Sequence, residues 1–547
     1  LEAVELEGHA SLDLHLSGSR DEPNPIGELR IDNGAVTWNR IRGSGVTATV
    51  TAREGRTYLQ ELSGSLLGGT FQMSGESPLP YPSVDRSALF NLEVEDVDLA
   101  ELSESTEGSA IQPLALVSAN GTLEARGLEL SQIRGSGNIA MLLTSIGDII
   151  IENDKPFPWS FENNRLTLHE LHAVGGDTAL DIELTAELKD ETWAWRSSLR
   201  GTFDNVFVNP LIRTWDAALS GTTRIDLLIE GIDAVPTFVG AGQIENAGFA
   251  LREPPLVLNN LSGEVQFRGN TLRLVDITAD AGGGTAQSSG QVEIGSFSAL
   301  AGLDLELAGD SIRLNYPDGM RSRLSGTLRL RGKPGLFLLS GDIRMDDALF
   351  DRTITLESEL LSSVERQNLS YSDEVSFAET VMLDIRAQST NDIRVDNNLA
   401  QAQASANLRM SGTLEAPELD GVIIARAEGT FQLGRNLYRI ESGNVAFRGY
   451  PSTPAELDVS ARTKVSGIEI IVRLYGPVGD INMELRAPDH SMLSQGDIAS
   501  LLVTGRTLAN VSDLQSVTGR ERQIVGEQLA SYLSGTLTNI VQRGLGD

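Results

Sequence analysis

The side chains able to do acid–base, metal or nucleophilic chemistry are few in this chain. There are five histidines, His9, His15, His169, His172 and His490, and no cysteine. A metal or acid–base centre needs several such groups converging on one point. His169 and His172 stand three apart in a segment that reads as strand, and strict alternation sends them to opposite faces, so no shared metal is expected. The lack of cysteine excludes disulfides, thiolate metal sites and cysteine nucleophiles, and is compatible with either redox compartment. Carboxylates are plentiful, and glycosidases on β-helices use acids roughly 5 to 9 Å apart. Asp346 and Asp347 are candidates, yet strand neighbours point apart. Most other acids occupy the polar half of an alternation, as Asp13 does with His15 between Leu12, Leu14 and Leu16. Gly282–Gly283–Gly284 lacks the strand, helix and lysine context of a phosphate loop and reads as a turn. No cofactor and no enzymatic activity are expected.

The elements that would position any site are strands. Apolar and polar residues alternate from one end to the other, and period two gives each strand one apolar face and one wet face. The clearest runs are Ile225, Leu227 and Ile229; Leu303, Leu305 and Leu307; Val381, Leu383 and Ile385; and Ile468, Ile470, Val472 and Leu474. These thirteen residues are the expected lining of an apolar groove. Ser-Gly, Asn-Gly and Gly-Gly pairs read as hairpin turns between the runs. A loose motif at Ser63-Gly64, Asn120-Gly121, Ser262-Gly263, Ser325-Gly326 and Ser411-Gly412 is taken to open new strands, at a spacing too uneven for a solenoid of one rung length. Helical periodicity is expected over Asn209–Leu219, which could plug one end of the sheet. From Gln495 the period turns helical again, with Ile498, Leu501 and Leu502 on one face, and a second helix is expected from about Thr518 to Arg543. These last helices would either close the open end of the β-structure or dock a partner.

Composition agrees. Gly is abundant at 55 residues and aromatics make up 5% of a 547-residue chain, which favours many short strands with tight turns. The net charge of −33 repels phosphate backbones, so a nucleic-acid partner is not expected. No run of about 18 apolar residues exists, and the chain opens at Leu1 already reading as strand, like an excised fragment without signal peptide or membrane span. The expected fold is all-β: an elongated, open, solenoid-like curved sheet with an apolar groove.

One stretch is specific. Tyr438-Arg439-Ile440-Glu441-Ser442-Gly443-Asn444-Val445-Ala446-Phe447-Arg448-Gly449 is followed by Pro454-Ala455-Glu456-Leu457-Asp458-Val459-Ser460-Ala461, by Leu474-Tyr475-Gly476-Pro477, and by Gly496-Asp497-Ile498-Ala499-Ser500-Leu501-Leu502-Val503-Thr504-Gly505-Arg506. This order resembles the C-terminal domain of the TamB family, and Gly242 to Val292 looks like a TamB-type or AsmA-type repeat. The resemblance divides the chain into residues 1–240, the N-terminal part of the β-groove; 241–495, a TamB-like groove domain; and 496–547, amphipathic helices. It implies a β-taco in the periplasm that carries phospholipid acyl chains between inner and outer membrane and is linked to outer-membrane biogenesis. It also implies an inner-membrane anchor preceding this chain and an outer-membrane barrel of the assembly-factor class as partner, met through a region that continues past Asp547 in relatives. It transfers no catalytic residue. The rival readings are a secreted structural or adhesive β-helix with a filled core, and an enzyme on a β-helix.

Overall fold

The computed structural model describes residues 4–507 apart from 103–113, 353–375 and short breaks of one to four residues between strands. The helix expected over Thr518–Arg543 lies outside the described residues. Among the described residues thirty strands, β1 (Val4–Gly18) to β30 (Asn482–Arg486) in chain order, form one sheet. Most strands pair antiparallel with their sequence neighbours, as an alternating chain with short connections must. The exception in direction among the described residues is β21 (Leu336–Phe350), which runs parallel to β22 (Val381–Ser389) and β23 (Ile393–Asp396). Among the described residues β1 pairs with β2 (Pro23–Trp38) alone and β30 with β29 (Ile468–Pro477) alone, so the described sheet keeps an edge at each end and does not close into a barrel.

Two-residue turns with positive φ at both positions join many strands. Gly282 and Gly283, at φ +56° and +84°, link β17 (Thr271–Ala281) to β18 (Gly284–Ser296), so the glycine run is a hairpin turn of the kind that matches strand twist.

The Ser-Gly motif does something other than expected. Ser262-Gly263 lies inside β16 (Leu256–Gly269) and Ser325-Gly326 inside β20 (Met320–Lys333), not at strand starts. Each neighbouring strand carries a bulge with one left-handed residue, Asn246 at φ +55° and Ser311 at φ +57°. A bulge frees a backbone N–H from the ladder. The serine hydroxyl accepts it: Asn246 N donates to Ser262 Oγ at 3.4 Å, and Ser311 N to Ser325 Oγ at 3.0 Å. The glycine then lets the next strand approach, since a Cβ on Gly326 would lie 2.2 Å from the Asp342 carbonyl oxygen. Bulges and glycines together bend the sheet.

One bulge corrects the histidine argument. Glu170, at φ +56°, adds a residue between Leu168 and Leu171 of β11 (Arg165–Gly175), and both leucines pair with inward residues of β12 (Thr178–Lys189). His169 and His172 therefore share the outer face rather than opposing each other. There His172 Nδ1 lies 2.8 Å from Asp181 and His169 Nε2 3.3 Å from Ser160.

The helix expected over Asn209–Leu219 is cut to Asn209–Ile212, and β14 (Ala217–Ile232) starts inside the expected span. Asn209 spends its side chain on the strand, donating to Leu219 O at 3.0 Å and accepting from Leu219 N at 2.7 Å. The helix Gln495–Thr504 forms as read. Ser494 and Asp497 make a capping box, and Gly505 ends the helix at φ +77°.

Candidate functional site

Inward-facing residues of successive strands stack into rows that cross the sheet. The first runs Ile225, Gly242, Val265, Leu274, Gly290, Leu305, Leu330, Leu339, Leu383. A second runs Leu199, Leu227, Gly240, Phe267, Leu272, Val292, Leu303, Gly332, Phe337, Val381. A third links Leu307, Leu328, Gly341 and Ile385. Three of the four runs picked from alternation alone, on β14, β19 (Ala299–Leu314) and β22, thus lie on shared rows of one face. Ile229 lies on the same face opposite Phe238. From β13 (Thr192–Asp204) to β22 the second row takes nine strand steps of about 4.8 Å, roughly 43 Å.

The fourth run continues that face through Ile385, Met410, Leu419 and then Ile423, Val445, Leu457. Ile470, Val472 and Leu474 are buried beneath the C-terminal helix, packed with its Ile498, Leu501 and Leu502, while Ile468 is half-buried against the same cluster. Asn436 donates to the Leu502 carbonyl at 2.7 Å and Ser466 to the Gly505 carbonyl at 3.0 Å, which pins the helix end. Tyr438, stacked on Phe431 with ring centroids 5.0 Å apart, lies in the same cluster, and burial pushes its phenol up to about 12.

Burial changes along the face. At the β1 edge Leu12, Leu14 and Leu16 are 63%, 48% and 66% exposed. In the central rows Phe267, Leu272, Leu274, Val292, Leu305, Leu328, Leu330 and Leu339 point inward yet are only half-buried. A cleft of about 740 Å³ across β17 to β21 is lined by Ile277, Leu307 and Leu328 together with the polar Gln287, Glu306 and Arg329, so it is not purely apolar.

Glycines make this surface possible. Gly240 sits between Leu227 and Phe267 at φ +154°, and a Cβ there would lie 2.2 Å from the Asp226 carbonyl oxygen. On the concave side of a bent sheet the backbones converge, and only glycine tolerates that approach and that φ.

The outer face is wet and charged. Arg329 bonds Asp304 of the adjacent strand at 2.7 Å, and Arg473 holds Asp458 at 2.9 and 3.0 Å. These guanidiniums hold both carboxyls below the usual carboxylate range. Asp346 and Asp347 spend their carboxylates apart, on Arg344 at 2.9 Å and Arg394 at 3.5 Å.

Residues 275–547 match the family model described as the TamB C-terminal domain. The run on β14 precedes the matched stretch, and the runs on β19, β22 and β29 lie within it. No curated protein and no solved structure matches the chain.

Proposed function

From the membership of this chain in the TamB family, whose C-terminal domain spans residues 275–547, we propose that its inner face is a conduit for phospholipid acyl chains between inner and outer membrane. The family is one of non-enzymatic assembly and transport proteins. The chain works in the periplasm, tethered to the inner membrane in the full-length protein, and serves outer-membrane biogenesis with an outer-membrane barrel as partner. The observation that carries the lipid reading is the combination of unbroken apolar rows with side chains only half-buried at their centre.

A filled core would bury those leucines fully; here surface remains for a tail to cover. Each buried methylene contributes about 0.8 kcal/mol, so contact along Leu305, Leu330 and Leu339 offsets much of the cost of drawing a tail from a bilayer. The row length of roughly 43 Å exceeds a single leaflet, about half of a 30 Å hydrocarbon core, so a tail has several near-equivalent positions and can slide. The headgroup stays in water along the slit between the sheet's rims, because burying its charges unpaired is costly. The alternating residues of β14, β19 and β22 lie along this path, while Ile470, Val472 and Leu474 of β29 are closed off by the helix Gln495–Thr504.

Native mass spectrometry after mild purification tests the reading. Co-purified phospholipid supports it. A chain free of lipid after exposure to phospholipid vesicles returns the structural β-helix to first place.

A further inference from the structure

We propose that Trp215, Phe337 and Phe377 form a clasp that shuts the slit of the groove between β14 and β22 and must part for each lipid headgroup that passes. The proposal rests on the phospholipid reading above.

Trp215 stands just before β14, twelve residues from Leu227, and Leu227 shares a row with Phe337 seven strands away. In a flat sheet the two aromatics would be separated by about 40 Å along the strand and about 34 Å across strands, on the order of 50 Å in all. Their ring centroids are 6.3 Å apart, edge to face at 77°. The sheet therefore curls until one rim rests on the other side of its own inner face. Trp215 also stacks on Phe377 at 5.2 Å and 27°, and Phe377 meets Phe337 at 5.6 Å. All three pack with Leu303 and Val381, two residues of the second apolar row.

The turn that presents Trp215 is firmly held. Asp216 takes φ +52°, its carboxylate lies 3.3 Å from Arg252, and its carbonyl accepts from Arg252 N at 3.1 Å. The Asn209 side chain fixes Leu219 beyond it, donating to its carbonyl and accepting from its N–H. The clasp itself is ring contact, and such contacts are individually weak enough to open and close. Beneath the rings the apolar row is itself closed, with Leu303, Phe337 and Val381 buried, so a tail also needs the rings to part. A charged headgroup travelling in the slit cannot cross where the rim at Trp215 rests on the facing inner row, because the alternative is unpaired charge in an apolar site. Trp215 thus sets where the conduit is gated.

The chain has no cysteine, so Trp215→Cys with Phe377→Cys supplies its sole thiol pair. The pair is bridged by oxidation or by a short bis-thiol reagent, and the protein is incubated with phosphatidylethanolamine vesicles. Photo-crosslinkers at Leu199 and Met410, on either side of the clasp, report lipid arrival. Bridging is expected to leave capture at Leu199 unchanged and to lower it at least ten-fold at Met410, with recovery when a disulfide is reduced. Trp215→Ala is expected to speed arrival at Met410 without changing capture at Leu199. Capture at Met410 indifferent to the bridge, equal loss at both positions, or failure of the two thiols to bridge would overturn the clasp. Absence of lipid at Leu199 in every form would instead remove the phospholipid reading on which the clasp depends.

Discussion

Replacing Leu501 by Ala should release the C-terminal helix from the groove. Leu501 is 2% exposed and packs with Ile470, Val472 and Leu474, so truncation removes buried methyl groups and leaves a cavity. Such changes cost about 2 to 5 kcal/mol. A ten-residue helix is marginal in water without a packing surface, so the loss falls on docking rather than on the sheet, whose strands pair independently of it. At 1.4 kcal/mol per factor of ten, the open fraction should rise between about 30-fold and several thousand-fold. Hydrogen exchange reads this directly: amides of Gln495–Thr504 should lose protection by at least about 30-fold while those of β19 and β20 keep theirs. A photo-crosslinker at Val472 should capture little lipid in the parent chain and clearly more in the variant. Unchanged protection of the helix would refute the packing argument, and global loss of protection would refute the separation of helix from sheet.

Other consequences follow from the same geometry. Gly240→Ala should destabilise by more than the roughly 1 to 3 kcal/mol of strained backbone alone, because the Asp226 carbonyl cannot retreat without breaking the β14 pairing. Gly335→Ala, at φ +86° with open space around it, should cost only the strain, and denaturant midpoints compare the two. Asp304 and Asp458 have folded-state pKa values below their unfolded ones, chiefly through hydrogen bonds from Arg329 and Arg473. Their contribution is therefore full above the unfolded value near 4 and is lost as pH falls through the lower folded value. Hydrogen exchange across β28 (Glu456–Val465) and β29, corrected for intrinsic rates, should stay flat from about pH 7 to 5 and lose protection below about 4, and Arg473→Gln should weaken that dependence. Tyr438, buried and titrating at about 12, should stay protonated in a spectrophotometric titration until the C-terminal cluster opens.

Alternation was enough to read the all-β fold and to choose residues that share rows eight strands apart, such as Ile225 and Leu383, because period two leaves no freedom over which face a side chain takes. It failed where that period breaks. A left-handed Glu170 is not advertised by its residue type, so the faces of His169 and His172 were misassigned. Ser-Gly pairs were read as turns because glycine is the usual turn residue, whereas in a bent sheet the same pair answers the freed N–H of a bulge one strand away. The apolar face of the C-terminal helix was legible from Ile498, Leu501 and Leu502. That it would lie over Val472 was not, since periodicity identifies a face and not its partner. Nothing in the sequence marks Trp215, because its partners, Phe337 and Phe377, are more than a hundred residues away and meet it only through curvature.

A conduit requires that phospholipid tails touch one parity of the central strands. Photo-crosslinkers placed at Leu305 and Glu306 of β19 ask this at adjacent residues, one on the shared apolar row and one on the wet face. With vesicle-loaded protein, capture of phospholipid at Leu305 and not at Glu306 is the predicted result; equal capture at both, or none at either, would contradict the conduit.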